Sequence, residues 1–561
     1  MSRNHSEELI RHFLESAYDF DIIWKNLENC HSRGFHIYDD QTNRMVYYPY
    51  SEIYTKAGLC AAGLQKRGIK KGDYVLLSAQ TDIRFAIVWV ALIWLGAIPA
   101  TLPPRTAFLA REIYLHRIKE IVSFFENYIC YENEISYVEE ICASRQHEMN
   151  LIVIQDLCAE IEDNRNGPAV RNNPSYDDAA FVQFTSGSMS VPKGIIITFR
   201  NILNNLWAIF TRLDINPEKV CIGSWLPLFH DMGLVGNFLL GLFTQSTLVM
   251  VSHIFFIKRV FDFLRMISTY NIGFCCMTNT VMEIILHRFR EDRCKDVRLD
   301  TLKWLGVGAE PINITTLERF QALFREYGLK ENVISPCYGL AESALAVSIA
   351  KPYEGYTVNT INGHSYPTSG PVIEGTSVLL VKDENYDGPG GIIKIKGNSV
   401  STYSLVNGKK IKRTDEAGYY DTQDLGYFDA DKLVILGRAD TMFIVHGENF
   451  FSHEIESLLI DSRLLQRPNV ICIALSPPQS STNTTELIVV YEVNRITRDE
   501  KRKLDEELAK IIMKNTGLQI DKFIAARRGT ILYTTSGKIQ YNAMKKLYIR
   551  GEVEDYYVEN P

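Results

Sequence analysis

Residues 181–201 read FVQFTSGSMSVPKGIIITFRN. Two apolar runs, AFVQF before and IIIT after, flank the ten residues TSGSMSVPKG, mostly Thr, Ser, Gly and Pro with one Lys. The composition is that of a phosphate loop, but the spacing is not that of a Walker loop. Counting from Gly187, a Walker pattern needs Gly at 192 and Ser or Thr at 194, and the chain has Pro192 and Gly194. A Walker loop also opens a helix, whereas both flanks here read as strands, so the loop is expected at the tip of a hairpin. Thr185, Ser186 and Ser188 offer hydroxyl donors there, and Lys193 offers a mobile cation. Gly187 and Gly194 permit backbone shapes that turn N–H groups toward an anion. The structural alternative is a polar hairpin turn with no ligand.

Working outward, apolar strand-like runs alternate with helical spacing up to about residue 435. Examples are DYVLLSA (73–79), LIVIQD (151–156), TLVMVS (247–252), IGFCCMT (272–278) and LKWLGVG (302–308), with VFDFLRMISTY as a helical segment. This alternation predicts layered α/β structure with mostly parallel sheets. From about 370, SVLLVKD, GIIKIKG and KLVILG are short strands between Gly, Pro and Asp, which predicts a β-rich subdomain. After GRAD (437–440) a strand, a helix from about Ser452, the strands NVICIALS and TELIVVYEV and the charged helix TRDEKRKLDEELAKIIMKN make a compact α+β unit. The expected division is a large N-terminal domain over 1–436, a junction at 437–440 and a small C-terminal domain over 441–561.

The chain of 561 residues is long for a single core. It is 46% hydrophobic and 23% charged, an ordinary globular balance. Lys+Arg 60 against Asp+Glu 67 gives a net charge of -7, which argues against nucleic acid as the main partner. The 11 cysteines form no CxxC pair and read as reduced thiols of a cytoplasmic protein. The N-terminus lacks a signal-peptide core. Two apolar stretches, 85–100 and 234–252, carry Gly, Pro or polar breaks and read as buried helices running into buried strands, leaving no transmembrane segment.

Four further stretches carry chemistry. In 223-GSWLPLFHDMGLVG-236, His230 and Asp231 follow a strand-like run and open a helix, a place suited to a cleft rim. In 306-GVGAEPI-312, Gly308 and Ala309 let a flat ring approach the backbone, and Tyr338 in 335-SPCYGLAESALA-346 could stack on that ring. Glu342 is a single acid in a small-residue turn, a reasonable Mg²⁺ ligand beside phosphates or, alternatively, a capping Glu. In 419-YYDTQDLGYFDADKLVILGRAD-440, Asp424 is placed in a turn between strands and could accept both hydroxyls of a ribose, with Arg438 the one cation of its strand end. In 533-YTTSGKIQYNAM-544, Lys538 is presented on a Thr/Ser/Gly turn, where a lysine is by itself usually just a solvated charge.

Taken in order, TSGSMSVPKG, GAEP, YGLAES, DTQDLG, GRAD and TSGKIQ resemble the adenylate-forming superfamily over roughly residues 45 to 550. WLPLFHDMGLVG, GAEPI, YGLAESALAVS and GENFFSHEIE are most similar to its fatty acyl-AMP ligases. The resemblance implies an enzyme that uses ATP and Mg²⁺ to convert a carboxylic acid, a fatty or other acyl acid, to acyl-AMP and pyrophosphate. Transfer to the phosphopantetheine thiol of an acyl carrier protein would follow, as in secondary metabolite biosynthesis. It places adenine near Gly308, Ala309, Glu310, Tyr338 and Gly339, and the ribose on Asp424 with Arg438 nearby. The β- and γ-phosphates fall on Thr185, Ser186, Gly187, Ser188 and Lys193, with Mg²⁺ on Glu342. His230 matches the residue at the carboxylate entrance, Lys538 the catalytic lysine and Asp440 the hinge. The acyl pocket wall is expected to include Trp207, Phe229, residues 277–280 and Leu340. One departure matters: between YGLAESALAVS and SGPVIEGTSV there is no room for the insertion typical of that branch, so free CoA stays open as the acceptor. A non-catalytic nucleotide-binding homologue is the alternative from another class, opposed by the presence of Asp424, Glu342 and Lys538.

Overall fold

The computed structural model describes residues 20–104, 111–142, 149–163, 167–185, 193–361, 363–445, 448–475, 479, 485–534 and 538–558. Among them the chain builds three large sheets and two small ones. The opening stretch does form a hairpin: Ala179–Thr185 and Lys193–Thr198 pair antiparallel, with Thr185 opposite Lys193. Ser186, Gly187 and Ser188 lie outside the described residues. The reading of Gly194 needs correction. It sits inside the second strand rather than in the loop, and a Cβ there would come 2.6 Å from Val182 Cγ1. Its lack of a side chain accommodates its neighbours on the sheet, and it exposes no N–H to an anion.

That hairpin belongs to an eight-stranded sheet that continues through Ile98–Leu102, Tyr74–Ser78, Asn127–Cys130 and Asn150–Val153, all parallel from Ala179–Thr185 onward. A second eight-stranded sheet runs Ala346–Ile349, Ile334–Gly339, Trp304–Val307, Ile272–Met277, Cys221–Ser224, Leu248–Met250, Gly34–Asp39 and Arg44–Pro49. Only its two edge strands are antiparallel to their neighbours. One continuous apolar core joins Phe181, Ile195 and Ile197 of the first sheet to Ile222, Phe274 and Trp304 of the second through the helices Ile83–Leu95 and Phe199–Arg212.

The two long apolar stretches are, as read, helix into strand: Ile83–Leu95 into Ile98–Leu102, and residues 231–244 into Leu248–Met250. Asp82 caps the first helix, accepting from Phe85 N–H at 3.0 Å, and Gly96 ends it at φ 71°. No helix among the described residues is long and apolar enough to cross a membrane. All eleven cysteines are free thiols. LIVIQD is strand only over Asn150–Val153. From Ile154 it is helix, because Ile154, Leu157 and Ile161 fall on one buried face at helical spacing.

The β-rich part is a fully antiparallel six-stranded sheet: Val358–Ile361, His364–Pro371, Lys432–Arg438, Tyr420–Asp429, Gly391–Gly397 and Thr376–Val381. It begins a hairpin earlier than the composition indicated. After a single 3₁₀ turn, Ala439–Thr441, a two-stranded ribbon and the helix Ser452–Asp461 lead to the three-stranded sheet Val470–Leu475, Glu486–Val493 and Lys522–Arg527. The helices Arg498–Thr516 and Tyr541–Ile549 complete a smaller α+β part with its own apolar clusters.

Candidate active site

His230 and Asp231 stand where the strand Cys221–Ser224 gives way to helix. The stretch between is held locally: Trp225 stacks on Phe256 at 4.1 Å and donates its indole N–H to the Cys276 carbonyl at 2.9 Å. A Cβ on Gly233 would lie 2.2 Å from the Pro227 carbonyl oxygen, so the helix can start this close only with glycine there. His230 is the N-cap residue, and the following Leu234–Leu239 is a π-helical segment, a form common at functional sites.

His230 Nδ1 lies 2.8 Å from Asp231 Oδ1, and Met232 N–H points at the same carboxylate oxygen at 2.7 Å. Met232 N also lies 3.2 Å from His230 Nδ1. The shorter contacts agree with a proton on Nδ1 shared with Asp231, which leaves Nε2 as the ring's other polar atom. Burial pushes the Asp231 carboxyl up, but His230, Lys538 and the Met232 N–H outweigh it and hold the group down at about 2.

Asp424 is not in a turn, as its neighbours implied. It lies within the strand Tyr420–Asp429, opposite Arg438, one residue before a register shift. Gln423 at φ 62° puts the kink into the strand instead. The Tyr338 hydroxyl donates to Asp424 Oδ2 at 2.6 Å, and Arg438 Nη1 to Oδ1 at 3.3 Å. Arg438 Nε also donates to Asp440 at 3.0 Å, so one guanidinium bridges both acids. Burial raises the Asp424 carboxyl above its ordinary value against the pull of Arg438, Tyr338 and Lys538.

Glu342 sits in a 3₁₀ turn, Ala341–Ser343, and accepts from the Tyr420 hydroxyl at 2.9 Å. Burial raises its carboxyl, and the charges of Asp231 and Asp424 add to the rise. Three acids thus crowd one desolvated region, an excess of negative charge that a hard cation would relieve. Among the described residues no three His, Cys, Asp or Glu side chains cluster as a metal cage. The donor set fits Mg²⁺ held by one carboxylate with substrate oxygens and water.

Glu310 is committed elsewhere. Its carboxylate accepts from the Thr280 backbone N–H and from the Thr280 hydroxyl, the latter at 2.9 Å, capping the helix Asn279–Arg288 from outside. Of its two predecessors, Ala309 lines the cleft, whereas Gly308 packs so tightly that a Cβ there would come 2.8 Å from the Cys337 carbonyl oxygen. Ala309 has φ 71°, and Ala344 beside Glu342 has φ 59°, both in the left-handed region. With Gln423 this puts three non-glycine residues of positive φ around one site, where strained backbone tends to concentrate. Gly339 passes so close to its neighbour that a Cβ would lie 1.9 Å from the Leu345 carbonyl oxygen.

His230, Asp231, Ala309, Tyr338, Gly339 and Lys538 line a single cleft of about 760 Å³. Thr185 and Lys193 are at the end of the neighbouring hairpin and are not among its lining residues. Away from these polar groups the cleft becomes apolar. Ile222, Phe274 and Trp304 lie abreast on three adjacent strands, and Ile209, Leu213 and Ile349 enclose them. The expected wall residues Trp207, Phe229, 277–280 and Leu340 are not in this lining. Trp207 is two residues from Ile209 on one helix, so the two point to nearly opposite sides. Phe229 packs edge-on to His253, and Leu340 packs against the β-rich sheet. Trp304 went unnoticed in LKWLGVG because only strand pairing shows that it faces the cleft. Its ring lies across Gly306, where a Cβ would meet Trp304 Cη2 at 2.2 Å. Tyr420 also escaped notice, although it stands inside the quoted YYDTQDLG.

Residues 31–403 match the family model of AMP-binding enzymes, and the chain belongs to that family. It is an AMP-binding enzyme with the large and small parts of the adenylate-forming fold. The Mycobacterium tuberculosis protein named "Putative ligase Rv1013" is 26% identical over 520 residues, covering 88% of this chain and 93% of its own. The long-chain-fatty-acid–AMP ligase FadD26 of Mycobacterium bovis is 25% identical, covering 89% of this chain and 91% of its own. Among solved structures, one from work on fatty acyl-adenylate ligases of E. coli and L. pneumophila superimposes with a TM-score of 0.84 at 24% identity, covering 94% and 97% of the two chains.

The capping role of Glu310 is open to measurement. Glu310→Ala removes both acceptors from Thr280 and should cost about 1–2 kcal/mol of stability, read from the urea midpoint at unchanged slope. Unaltered stability would show that the Thr280 contacts contribute nothing.

Proposed function

We propose that the protein activates a fatty acid with ATP, forming acyl-AMP and releasing pyrophosphate, and then transfers the acyl group to the phosphopantetheine thiol of an acyl carrier protein. The observation that carries the reading is the convergence of Lys538, the His230–Asp231 pair and Tyr338 at the mouth of a cleft whose depth is apolar. The carboxylate nucleophile is already ionised at neutral pH, so no strong general base is required. What the reaction needs is positive charge between two anions. Lys538 would bridge the carboxylate and the α-phosphate, with His230 at the carboxylate entrance. Asp424 would hold the ribose hydroxyls between Tyr338 and Arg438. Thr185, Lys193 and the loop they bound would hold the outer phosphates. Mg²⁺, held by Glu342, would neutralise phosphate charge. The proposed division is 1–436 and 441–561, with 437–440 as a hinge whose rotation would withdraw Lys538 before thiol attack.

A pyrophosphate-release assay over a panel of carboxylic acids tests the adenylation reading; no release with any acid would overturn it. Lys538→Ala should lower adenylation by about 10²–10³ while leaving transfer from preformed adenylate largely intact. Near-normal adenylation would remove Lys538 from the reaction. Asp424→Ala should raise the ATP KM, since charge-assisted hydrogen bonds are worth about 1.5–3 kcal/mol each; an unchanged KM would leave Asp424 a purely structural partner of Tyr338.

Trp304→Leu should move chain-length preference toward longer acids. Each methylene newly buried is worth about 0.8 kcal/mol, roughly fourfold in kcat/KM. An unmoved optimum would mean that Trp304 does not end the acyl pocket.

Free CoA is the second reading, and one observation favours it. Between Ile349 and Thr376 the chain is a short turn and the hairpin Val358–Ile361 with His364–Pro371, with no added element among the described residues of that span. Thioester formation on holo carrier protein and on CoA, compared as kcat/KM with one acid, decides between them. The carrier is expected to be preferred, and a ratio favouring CoA would make the protein an acyl-CoA synthetase.

A further inference from the structure

Lys538 is useful only if it is held against the cleft, and the described residues on either side of 535–537 are tied to one another by short-range bonds. Tyr533 bridges Ile539. Thr534 N–H donates to the Lys538 carbonyl at 2.7 Å, and Lys538 N–H returns to Thr534 Oγ1 at 3.0 Å. Gln540 closes the stalk, with its backbone N–H on the Leu532 carbonyl at 2.9 Å and its side chain on the Tyr533 carbonyl at 2.8 Å. A two-stranded stalk this short is marginal alone, and what holds its two ends contributes to its placement.

Both ends are held by buried carboxylates from other elements. Upstream, Glu492 on the strand Glu486–Val493 accepts from Gly529 N–H at 2.8 Å and Ile531 N–H at 3.0 Å, and from the Asn469 side chain at 2.9 Å. Downstream, Glu456 on the helix Ser452–Asp461 accepts from the Tyr541 hydroxyl at 2.6 Å and from Cys472 N–H at 2.9 Å. Tyr541 is the first residue of the helix Tyr541–Ile549 and follows Lys538 by three positions. Glu456 is 6% exposed, and no cation among the described residues acts on it. The titratable groups facing it are Tyr541 from its helix, Cys472 from the strand Val470–Leu475 and Tyr533 from the stalk. Burial and the carboxylate itself push all three up, so they stay neutral. A buried carboxylate without a counter-charge is expensive, and a helix-end contact alone does not require one.

We propose that Glu456 is a positioning residue for the adenylation step: by holding Tyr541 it fixes the C-terminal side of the turn and so sets Lys538 at the mouth of the cleft. This rests on the adenylation reading above. It also carries a pH signature. Burial raises the Glu456 carboxyl to about 7, with the Tyr541 and Cys472 donors pulling the other way. Above that value the charged acceptor grips Tyr541; below it the charge is lost and the grip weakens. Adenylation should therefore fall as pH drops through about 7, while transfer from preformed adenylate, which does not use Lys538, should not follow.

The test measures both half-reactions of the full chain from pH 6 to 9, with dodecanoic acid as the acid and pantetheine as the thiol. It compares the natural protein with Glu456→Gln, Tyr541→Phe and Lys538→Ala. A misplacement of about 1 Å can cost about 10²-fold, so Glu456→Gln and Tyr541→Phe should lower adenylation kcat by about 10- to 100-fold. The ATP KM should stay within about twofold, the acidic limb near pH 7 should disappear in Glu456→Gln, and thiol transfer should be unaffected. Should Glu456→Gln fail to fold, Tyr541→Phe carries the test, with kcat lowered, KM held and transfer spared. Equal losses in both half-reactions, full adenylation in Tyr541→Phe, or an acidic limb retained in Glu456→Gln would overturn the proposal. If the natural protein adenylates neither dodecanoic acid nor any acid of the pyrophosphate-release panel, the adenylation reading fails instead, and the two failures are distinct.

Discussion

Everything at the cleft answers to a surplus of half-buried negative charge. Asp231, Glu310, Glu342 and Asp424 are carboxylates drawn out of water within one region, and Lys538 acts on three of them. A buried charge is tolerable only when paired or hydrogen-bonded. Asp231 has His230, Glu310 has the end of a helix, Asp424 has Tyr338 and Arg438, and Glu342 has little beyond Tyr420. Of the four, Glu342 thus has the fewest hydrogen-bond partners among the described residues. The same excess explains why a lysine on a distant turn settles at this mouth.

The fold supplies this arrangement by meeting rather than by proximity along the chain. The end of one parallel sheet brings Tyr338 and Gly339, the antiparallel sheet brings Asp424 and Arg438, and the smaller α+β part brings Lys538. Close local backbone approaches at Gly233, against Pro227, and at Gly339, against Leu345, together with positive φ at Ala309, Ala344 and Gln423, mark the tight turns from which these side chains are presented. Strain of this kind costs about 1–3 kcal/mol per residue. The large shared core of the two parallel sheets is the evident source of the compensating stability.

Much of this was legible beforehand, and the failures are instructive. The hairpin around the Thr/Ser/Gly loop, the two buried helix-to-strand stretches and the β-rich part follow from local pattern, because periodicity and turn chemistry are local properties. Asp424 was misplaced into a turn because DTQDLG has turn composition; the kink is real, but it is a bulge inside a paired strand. Gly194 looked like loop flexibility and is a packing glycine. The expected wall residues are absent from the cleft lining for a geometric reason, since which face of a helix meets a sheet cannot be known until the sheet is placed. Trp304 faces the cleft only because its strand pairs in register with Phe274 and Gly306 stands clear beneath it.

The sequence by itself determined the alternation of elements, the order of six motifs and the residue types able to handle a nucleotide and a carboxylate, since these depend on side-chain chemistry and short-range spacing. The tertiary structure alone decided which of those residues share a cleft, that Glu310 is spent on capping, that Tyr338 and Arg438 both hold Asp424, and that Glu456 and Glu492 brace the turn of Lys538. The reason is physical: hydrogen bonds and desolvation between groups far apart in the chain come into being only when packing brings them together, and no local pattern encodes the partner.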